Sequence, residues 1–484
     1  MFCHLHAKGG MGMEEYIEKL ISQIRCKKAR PYIEEEIRNH IEDQISENVS
    51  NGMDRDEATL EAVKDMGDPV SVGVSLDKIH KPRFSWTLVA IVGVVSLVAI
   101  LVQWIFVLQF DNPASVTRVV SVVRDLDDAG NYISHNARYM CSIKDFINSI
   151  ILGLIIMTVI YFIDYTLIAK YSQIIGFIML GIGVCALIAS PGINGTRYYL
   201  FNVVSISMPA FFMMYVPIYG AIIYKYRGGG VIEILKCLVW LVAPTYIVFR
   251  LPSLSTAPII LICMLTQLTV AICKGWFTVN KKVCLAIIWA VFTALPIIIL
   301  SGMYSLNMLM TYQADRIKSW LNPNAAESGY VLSLIRDFVK NSRLIGNGQA
   351  DLFGYIPDLN RDYIFTFIIN TYGLIAGAII IAVLATLIAF IFGTVLKQKN
   401  EVGLTMGIGC AMLLLASSVV NILGSVGILP TMASFLPFFS AGGSNMVLCF
   451  YLLGLVMSIY RYKDIYPRNV EKKVKIKKTV DIIL

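Results

Sequence analysis

The sequence predicts an all-α, polytopic membrane protein of about ten transmembrane helices, preceded by a small soluble helical domain. The 484-residue chain is 56% hydrophobic and only 15% charged, with a mean hydropathy of +0.67, whereas soluble domains carry about 25% charged residues. The composition also changes abruptly at Phe84, where charged, helix-patterned sequence gives way to a series of long apolar runs. These two observations call for two domains in two different solvents.

The opening residues, "MFCHLHAKGGMG", contain neither the apolar h-region nor the cleavage site of a signal peptide. Lys8-Gly9-Gly10 reads as a translated ribosome-binding sequence, which makes Met13 the expected start. Residues 13–82 form the soluble domain. In "PYIEEEIRNHIEDQISENV", Ile33, Ile37, Ile41, Ile45 and Val49 recur every four residues and predict one apolar stripe on an otherwise acidic helix. "NGMDRDEATLEAVKDMGDP" predicts a turn at Gly52, an N-cap at Asp54, a short helix and a stop at Gly67-Asp68-Pro69.

The membrane domain is expected over 84–462. Runs long enough to cross a hydrocarbon core of roughly 30 Å, about 20 residues each, recur at 85–109, 146–168, 174–191, 208–225, 231–249, 254–273, 283–303, 363–393, 402–425 and 446–460. An even number of spans puts both termini on one side. Lys170, Lys225 and Arg227, Lys274, Lys281 and Lys282, and Lys397 and Lys399 fall in alternate short connections, together with the tail "EKKVKIKKTV". The opposite short connections carry only Arg197 and Arg250. By the excess of Lys and Arg in cytoplasmic loops, both termini are expected in the cytoplasm, with 463–484 a basic tail. That tail directly follows the last span, so its expected partner is anionic membrane lipid, at about 1 kcal/mol per basic residue, and no nucleic acid is expected.

Two connections on the opposite side are long. The first, 110–145, contains "ASVTRVVSVVRDLDD" and is expected to hold an interfacial amphipathic helix. The second, 304–362, is expected to be a folded functional element, because structureless loops of that length are uncommon. The ten cysteines are scattered without a CxxC pair and the five histidines lack an HExxH spacing, so neither disulfides nor a metal is expected. Asp164, in "YFIDYTLIAK", stands within about two turns of the cytoplasmic end of its span and reads as a snorkelling carboxylate ahead of an intramembrane proton carrier.

The stretch "GYIPDLNRDYIFTFIINTYG", residues 354–373, places Arg361 and Asp362 directly before an apolar run. A buried carboxylate costs several kcal/mol unless it is paired, hydrated or used. By position, Asp362 reads as the N-cap of the eighth span, accepting from its first amides and favoured by the helix dipole. By its surroundings it reads as a general base. "TYQADRIKSWLNP" (311–323), "ESGYVLSLI" (327–335) and "LIGNGQADLFGYIPDLNRDYIF" (344–365) add arginines and glycine turns, both suited to a diphosphate. Gly442-Gly443-Ser444 reads either as a phosphate turn or as the entry to the tenth span.

In the soluble domain, "HIED", "GMDRDEA", "AVKDMGDP" and "IHKP" resemble the permease-prefix (HAAS-type) domain found before various bacterial membrane proteins, which implies regulation or partner binding. From about 85 to 462 the chain resembles the FtsW/RodA/SpoVE (SEDS) family of cell-cycle and cell-shape proteins. "YQADRIKSWLNP" followed by "GY" is similar to the family's YQ-x-x-R-I…L-x-P…GYQ, and "PDLNRDYIF" to its PE-x-HTDFIF. "NILGSVGILPTMASFLPFFSAGGSN" (421–445) is similar to NI…G-x-LP-x-TGI-x-LPF-x-SYGGSS and is the most specific match. Gly195 and Arg197 before Tyr198, and "LPSLSTA" against QPDLGTA, are fainter echoes.

The resemblance implies polymerisation of lipid II, the undecaprenyl-diphosphate-linked disaccharide, at the outer face of the bacterial cytoplasmic membrane, with a transpeptidase penicillin-binding protein of class B as partner. The family's essential aspartate falls at Asp362, which would act as general base on the acceptor hydroxyl while the donor inverts and undecaprenyl diphosphate leaves. Arg316 and Arg197 would neutralise the leaving group, a role that interfacial snorkelling rivals; a bound divalent cation is the alternative neutraliser, and no other cofactor is implied. Arg361, Gly329, Tyr330, Gly346 and Gly348 complete the expected substrate contacts on the loop, and Ser440, Gly442, Gly443 and Ser444 those beside the tenth span. The chain departs from the family where Q-P-S-E becomes "MPAF" with Phe211, where P-D becomes Pro252-Ser253, where EELG becomes "NTYG", where glutamines become Val331 and Leu334, and where SYGG becomes Ser440-Ala441-Gly442-Gly443. These losses support a non-catalytic scaffold as the second expectation. A transporter of lipid-linked precursor ranks last, because few charged residues sit mid-helix.

Overall fold

The computed structural model describes residues 11–110, 122–126, 132–136, 143–189, 207–251, 255–306, 330–346, 359–430 and 433–467, with isolated positions 308, 314, 318, 320 and 356. The chain forms two compact units. One joins the helices up to Phe84 to Gln398–Glu401 and to the segment from Tyr460, and the other comprises Ser85–Lys397 and Val402–Ile459.

The first unit contains α1 (Met13–Ser22), α2 (Arg30–Ser50), α3 (Arg55–Asp65) and α4 (Pro69–Ile79). Asp54 caps α3 by accepting from Asp56 N at 3.2 Å, and Asp68 caps α4 by accepting from Ser71 N at 2.9 Å with Pro69 in the first turn. Gly52 and Gly67 make the intervening turns at φ 97° and 77°. The predicted cap, turn and stop are all in place. Tyr16, Ile17, Leu20, Ile33, Ile41, Ala58 and Ala62 form the core. The predicted stripe on α2 is only partly buried: Ile33 and Ile41 are enclosed, yet Val49 is 42% exposed. Four residues turn a helix about 40° beyond a full turn, so by Val49 a strict four-residue repeat has drifted about 160° from Ile33. Arg38 ties α2 to α1 through Glu14 (Nη2 to Oε2, 2.9 Å), and this hydrogen bond holds the Glu14 carboxyl below its usual range.

In the same unit, the residues after the last span pack on the helical domain. Arg83 pairs with Asp464 (2.7 Å), His80 Nδ1 meets the Asp464 carbonyl at 2.6 Å, Lys28 lies over the Tyr462 ring at 4.6 Å, and Tyr32 meets Tyr466 edge-on at 5.7 Å. Asn400 donates to Pro467 O at 2.8 Å.

The second unit contains α5 (Trp86–Phe110), β1 (Val122–Leu126), β2 (Tyr132–Asn136), α6 (Ile143–Phe162), α7 (Tyr165–Lys170), α8 (Ser172–Ala189), α9 (Met208–Met213), α10 (Tyr215–Lys225), α11 (Val231–Arg250) and α12 (Thr256–Cys273). After these come α13 (Lys281–Ser305), α14 (Tyr330–Lys340), α15 (Ile364–Tyr372), α16 (Leu374–Leu396), α17 (Glu401–Ser425) and α18 (Gly443–Arg461). Each of the ten predicted runs contains helix, and among the described residues eight helices are long and apolar enough to cross a membrane. The other two runs hold α8, an 18-residue apolar helix, and the pair α9 and α10, broken at Met214.

Burial sorts the spans: α18 is 72% buried and α12 and α17 each 61%, whereas α13 is 6% buried and faces outward almost entirely. At the centre, Gln267 donates to Thr405 O at 2.9 Å where α10 and α17 come close. A Cβ on Gly220 would stand 2.9 Å from the Thr405 backbone carbon, so this approach requires glycine. Asp164 is buried and caps α7, accepting from Thr166 N at 3.0 Å and Thr166 Oγ1 at 2.9 Å. It is a helix cap, not a snorkelling group.

Two expectations are corrected. Within the connection 110–145, Val122–Leu126 and Tyr132–Asn136 pair as an antiparallel ribbon, Val122 opposite Asn136 and Leu126 opposite Tyr132, so 122–126 is strand where an amphipathic helix was predicted; the rest of that stretch, 114–121 and 127–128, lies outside the described residues. The β-branched pair Val122-Val123 that opens β1 favours a pleated strand over a helix. More consequentially, 363–393 is not one span. The crossing helix is α16 alone, and α15 is a separate nine-residue helix, buried from Ile364 to Thr371. Gly373, at φ 93° and ψ 171°, folds the chain back so tightly that a Cβ on Gly377 would meet Ile369 Cγ1 at 3.0 Å. In a continuous helix residues eight apart lie about 12 Å apart along the axis. The pair is therefore a re-entrant hairpin. Leu374 N and Ile375 N donate to Arg343 O (2.9 Å) and Leu344 O (3.2 Å), and Gly346 N donates to Tyr372 O (3.3 Å), so the loop after α14 clasps its tip.

Gly373→Ala is expected to destabilise the protein by at least about 1–3 kcal/mol, the cost of forcing a side chain into a backbone region open almost only to glycine. A Cβ there would also stand 2.5 Å from Leu344 O. Thermal unfolding in detergent reads the effect. Gly424→Ala, with nothing within 4 Å of the added carbon, is the control and leaves the midpoint unchanged or slightly raised.

Candidate functional site

The hairpin puts Asp362 somewhere other than the predicted helix mouth. Tyr363 is the N-cap of α15, so Asp362 stands one residue outside the helix, on the turn 359–363. That turn does not lie at the ends of the spans. It is bonded to Gln103, seven residues before the end of α5, and to Asn421, four residues before the end of α17, depths of about 10 Å and 6 Å. Thr366 Oγ1 donates to Ser425 O at 2.6 Å, so α15 climbs back toward those ends. Asp362 thus begins a helix that rises out of the protein interior.

Three successive carbonyls of the turn are each taken by a different partner. Asn360 O accepts from Gln103 Nε2 at 3.2 Å and from Ala441 N at 2.9 Å, Arg361 O from Ser440 Oγ at 2.6 Å, and Asp362 O from Asn421 Nδ2 at 2.8 Å. Gln103, Asn421 and Ser440 are at most 3% exposed. Each has a second engagement: Gln103 Nε2 donates to Phe439 O at 2.7 Å, Asn421 Nδ2 reaches Ser434 O at 3.1 Å, and Ser440 Oγ accepts from Leu436 N at 2.7 Å. Where lipid replaces water, a backbone carbonyl must find its donor inside the protein, and here two spans and the segment before α18 supply donors to three consecutive residues. The Asp362 side chain is half-buried and Arg361 is exposed.

The facing turn is itself held in an unusual conformation. Phe438 adopts φ 69°, and its ring packs edge-on against Phe450 at 5.5 Å. A bulky side chain in the left-handed region stores strain and persists only where its surroundings enforce it. Ser440 and Ala441 therefore reach the Asp362 turn from a second constrained segment.

Of the residues singled out in the sequence, Asp362, Arg361 and Ser440 come together here, and Gly442 follows Ala441 directly. Gly443 begins α18, and Ser444 Oγ accepts from Ser207 N at 2.8 Å, so this glycine pair serves as a helix entry. Gly346 is not part of the cluster: it binds the far end of α15, about 13 Å along a nine-residue helix. Arg197, Arg316, Gly329, Gly348 and the Tyr330 side chain lie outside the described residues. Sequence reading missed Gln103 and the role of Asn421. A glutamine inside a span of mean hydropathy 2.7 is the signal that could have marked the first. Among the described residues no group of three or more His, Cys, Asp or Glu side chains could hold a metal ion.

A polytopic helical bundle with a re-entrant hairpin and a carboxylate-bearing turn is the class these features define. The family model described as "Cell cycle protein", FtsW/RodA/SpoVE, matches residues 116–465. The chain belongs to this family. A Mesostigma viride protein named as a peptidoglycan glycosyltransferase FtsW is 33% identical over 215 residues, 43% of this chain and 48% of that protein. The stage V sporulation protein E of Bacillus subtilis is 28% identical over 199 residues, 39% of this chain and 54% of that protein. The chain spans about half the length of these curated relatives. Among solved structures, a chain of a peptidoglycan synthase complex that coordinates polymerization and crosslinking aligns with TM-score 0.59 at 16% identity, over 78% of this chain and 98% of its own. The rod shape determining protein RodA of Thermus thermophilus aligns with TM-score 0.51 at 16% identity, over 79% and 98%. At these identities the structures establish the shared fold.

Asn421→Asp replaces a buried donor by an acceptor facing the Asp362 carbonyl and both Ser434 oxygens. It is expected to cost at least about 2 kcal/mol, measured by thermal unfolding in detergent, whereas Arg361→Gln on the exposed side changes stability by less than about 0.5 kcal/mol.

Proposed function

We propose that the protein is an inverting peptidoglycan glycosyltransferase that polymerises lipid II at the outer face of the bacterial cytoplasmic membrane. The observation that carries this reading is the fixed turn: a half-buried carboxylate is held below the ends of the spans by buried donors from two spans and from the segment before α18. An aspartate serving only as a helix cap needs no such fixation, and Asp362 does not occupy the cap position. Family membership and the names of the relatives supply the reaction class.

In this mechanism Asp362 Oδ accepts the proton of the acceptor sugar's hydroxyl as that oxygen attacks the donor's anomeric carbon from the face opposite the diphosphate. The new C–O bond forms, the bond to the diphosphate breaks, and undecaprenyl diphosphate leaves with the electron pair. Diphosphate is a good leaving group once its charge is neutralised, and Arg316, Arg197 and Arg361 are the cations proposed for that task. A turn set below the ends of the spans suits a substrate whose lipid tail stays in the membrane. The alternation of Lys and Arg between connections supports cytoplasmic termini and so places the Asp362 end of the bundle outside. A class B penicillin-binding protein is the proposed partner, consistent with the synthase-complex chain among the structural neighbours.

The test is polymerisation of lipid II by the purified full chain, with and without a co-expressed transpeptidase. Wild type is expected to form glycan polymer, and Asp362→Asn to lower the rate at least about 100-fold, the contribution of a general base, while keeping its unfolding midpoint. Absence of polymer under conditions where another family member works would favour the scaffold reading, whose structural support is Phe211 on α9 in place of the family's carboxylate.

A further inference from the structure

Three successive peptide units around Asp362 are fixed from outside: those whose carbonyls belong to Asn360, Arg361 and Asp362. Peptide units are planar and rigid. Pinning the units on both sides of Asp362 sets its φ and ψ and with them the direction of its Cα–Cβ bond, leaving the carboxylate only its two side-chain torsions. Gln103 contributes most to this arrangement, because one amide nitrogen donates to two different segments, Asn360 O on the Asp362 turn and Phe439 O on the strained turn beside Phe438. Ser440 adds the next link, donating to Arg361 O while accepting from Leu436 N.

A purely structural role explains these residues poorly. Gln103 is 1% exposed within the span Trp86–Leu108, where packing alone is met as well by leucine or methionine. It also lies outside the stretch 116–465 that the family model matches, so family membership assigns it nothing.

We propose that Gln103 and Ser440 are positioning residues that aim the Asp362 side chain and so hold the base within reach of the acceptor hydroxyl. This rests on the reading of Asp362 as a general base. Displacement of a catalytic group by about 1 Å costs on the order of 100-fold in rate; loss of Gln103 leaves Asn360 O with Ala441 N as its donor and removes the bridge to Phe439 O, and loss of the Ser440 hydroxyl removes the donor to Arg361 O, so each loosens the turn.

Two measurements test the proposal together. In the polymerisation assay with purified full chain and lipid II, Gln103→Leu and Ser440→Ala are expected to lower kcat about 10- to 100-fold with KM within about twofold of wild type, and Ser440→Thr, which keeps the hydroxyl, to recover most of the rate. Separately, a nitroxide is attached at Arg361→Cys in a chain whose ten native cysteines are replaced, and its mobility is read by electron paramagnetic resonance. That signal needs no catalysis. It is expected to be immobilised with Gln103 present and to gain a mobile component in Gln103→Leu and in Ser440→Ala. An unchanged nitroxide spectrum, or a rate that falls only in proportion to folded protein, overturns the proposal. If wild type makes no polymer, the glycosyltransferase reading falls by itself, and the spectrum alone then decides whether these residues fix the turn. Should Gln103→Leu not fold, Ser440→Ala carries both measurements.

Discussion

A backbone carbonyl inside a membrane has no water to bond, and the architecture around Asp362 follows from meeting that demand three times in succession. The turn 359–363 interrupts regular helix below the ends of the spans, so its carbonyls would be orphaned there at a cost of about 1–3 kcal/mol each. Gln103 from α5, Asn421 from α17 and Ser440 from the segment before α18 supply the donors. Irregular backbone at this depth persists only where protein encloses it. The hairpin of α15 and α16 performs the enclosing: α15 packs back on α16 at Gly377 and is tied to α17 through Thr366, and the clasp at residues 343–346 closes its tip. Removing any of these supports leaves the others to carry a conformation that none enforces alone.

The spans were legible in the sequence because burial in lipid imposes a compositional signal that survives without knowledge of the neighbours. The cap at Asp54 was legible for a similar reason, since an Asx side chain satisfies an amide two residues away. What escaped was every feature fixed by a distant partner. Ile364–Tyr372 and Leu374–Leu396 are both apolar, so hydropathy merges them, and only Gly373 marks the fold-back. That glycine is needed because the backbone of Leu344 passes behind it, a contact that no local pattern encodes. Likewise Asp362 was recognised as a residue of interest, yet its depth and its departure from the cap position depend on Gln103, more than 250 residues earlier in the chain.

The unit that carries the prefix-like helices shows the same dependence on distant sequence. The apolar stripe and the caps specify α2 to α4, but the residues from Tyr460 to Pro467 complete the unit. Asp464 receives Arg83 at its carboxylate and His80 at its carbonyl, while Tyr462 and Tyr466 meet Lys28 and Tyr32. The chain that enters the membrane after Phe84 and the chain that leaves it after Ile459 are thereby joined in one compact body.

The places where this chain departs from its family differ in kind from the places where it agrees. Phe211 lies on α9, and Asn370, standing where the family has a glutamate, lies near the far end of α15, where its amide donates to Phe338 O of α14 at 3.4 Å. That replacement exchanges a charge for a bond that ties the hairpin to the loop helix. Asn421 and Ser440, in contrast, fall within the most specific matching motif, and both grip the Asp362 turn. A scaffold that had lost chemistry would have no use for a buried polar cluster in which Asn421 Oδ1 and Ser425 Oγ find no partner among the described residues, because apolar packing there would be at least as stable. The polar groups that hold the Asp362 turn are kept at a cost in stability, whereas Phe211 and Asn370 lie elsewhere in the bundle and Ala441, altered in its side chain, still donates its backbone N–H to Asn360 O.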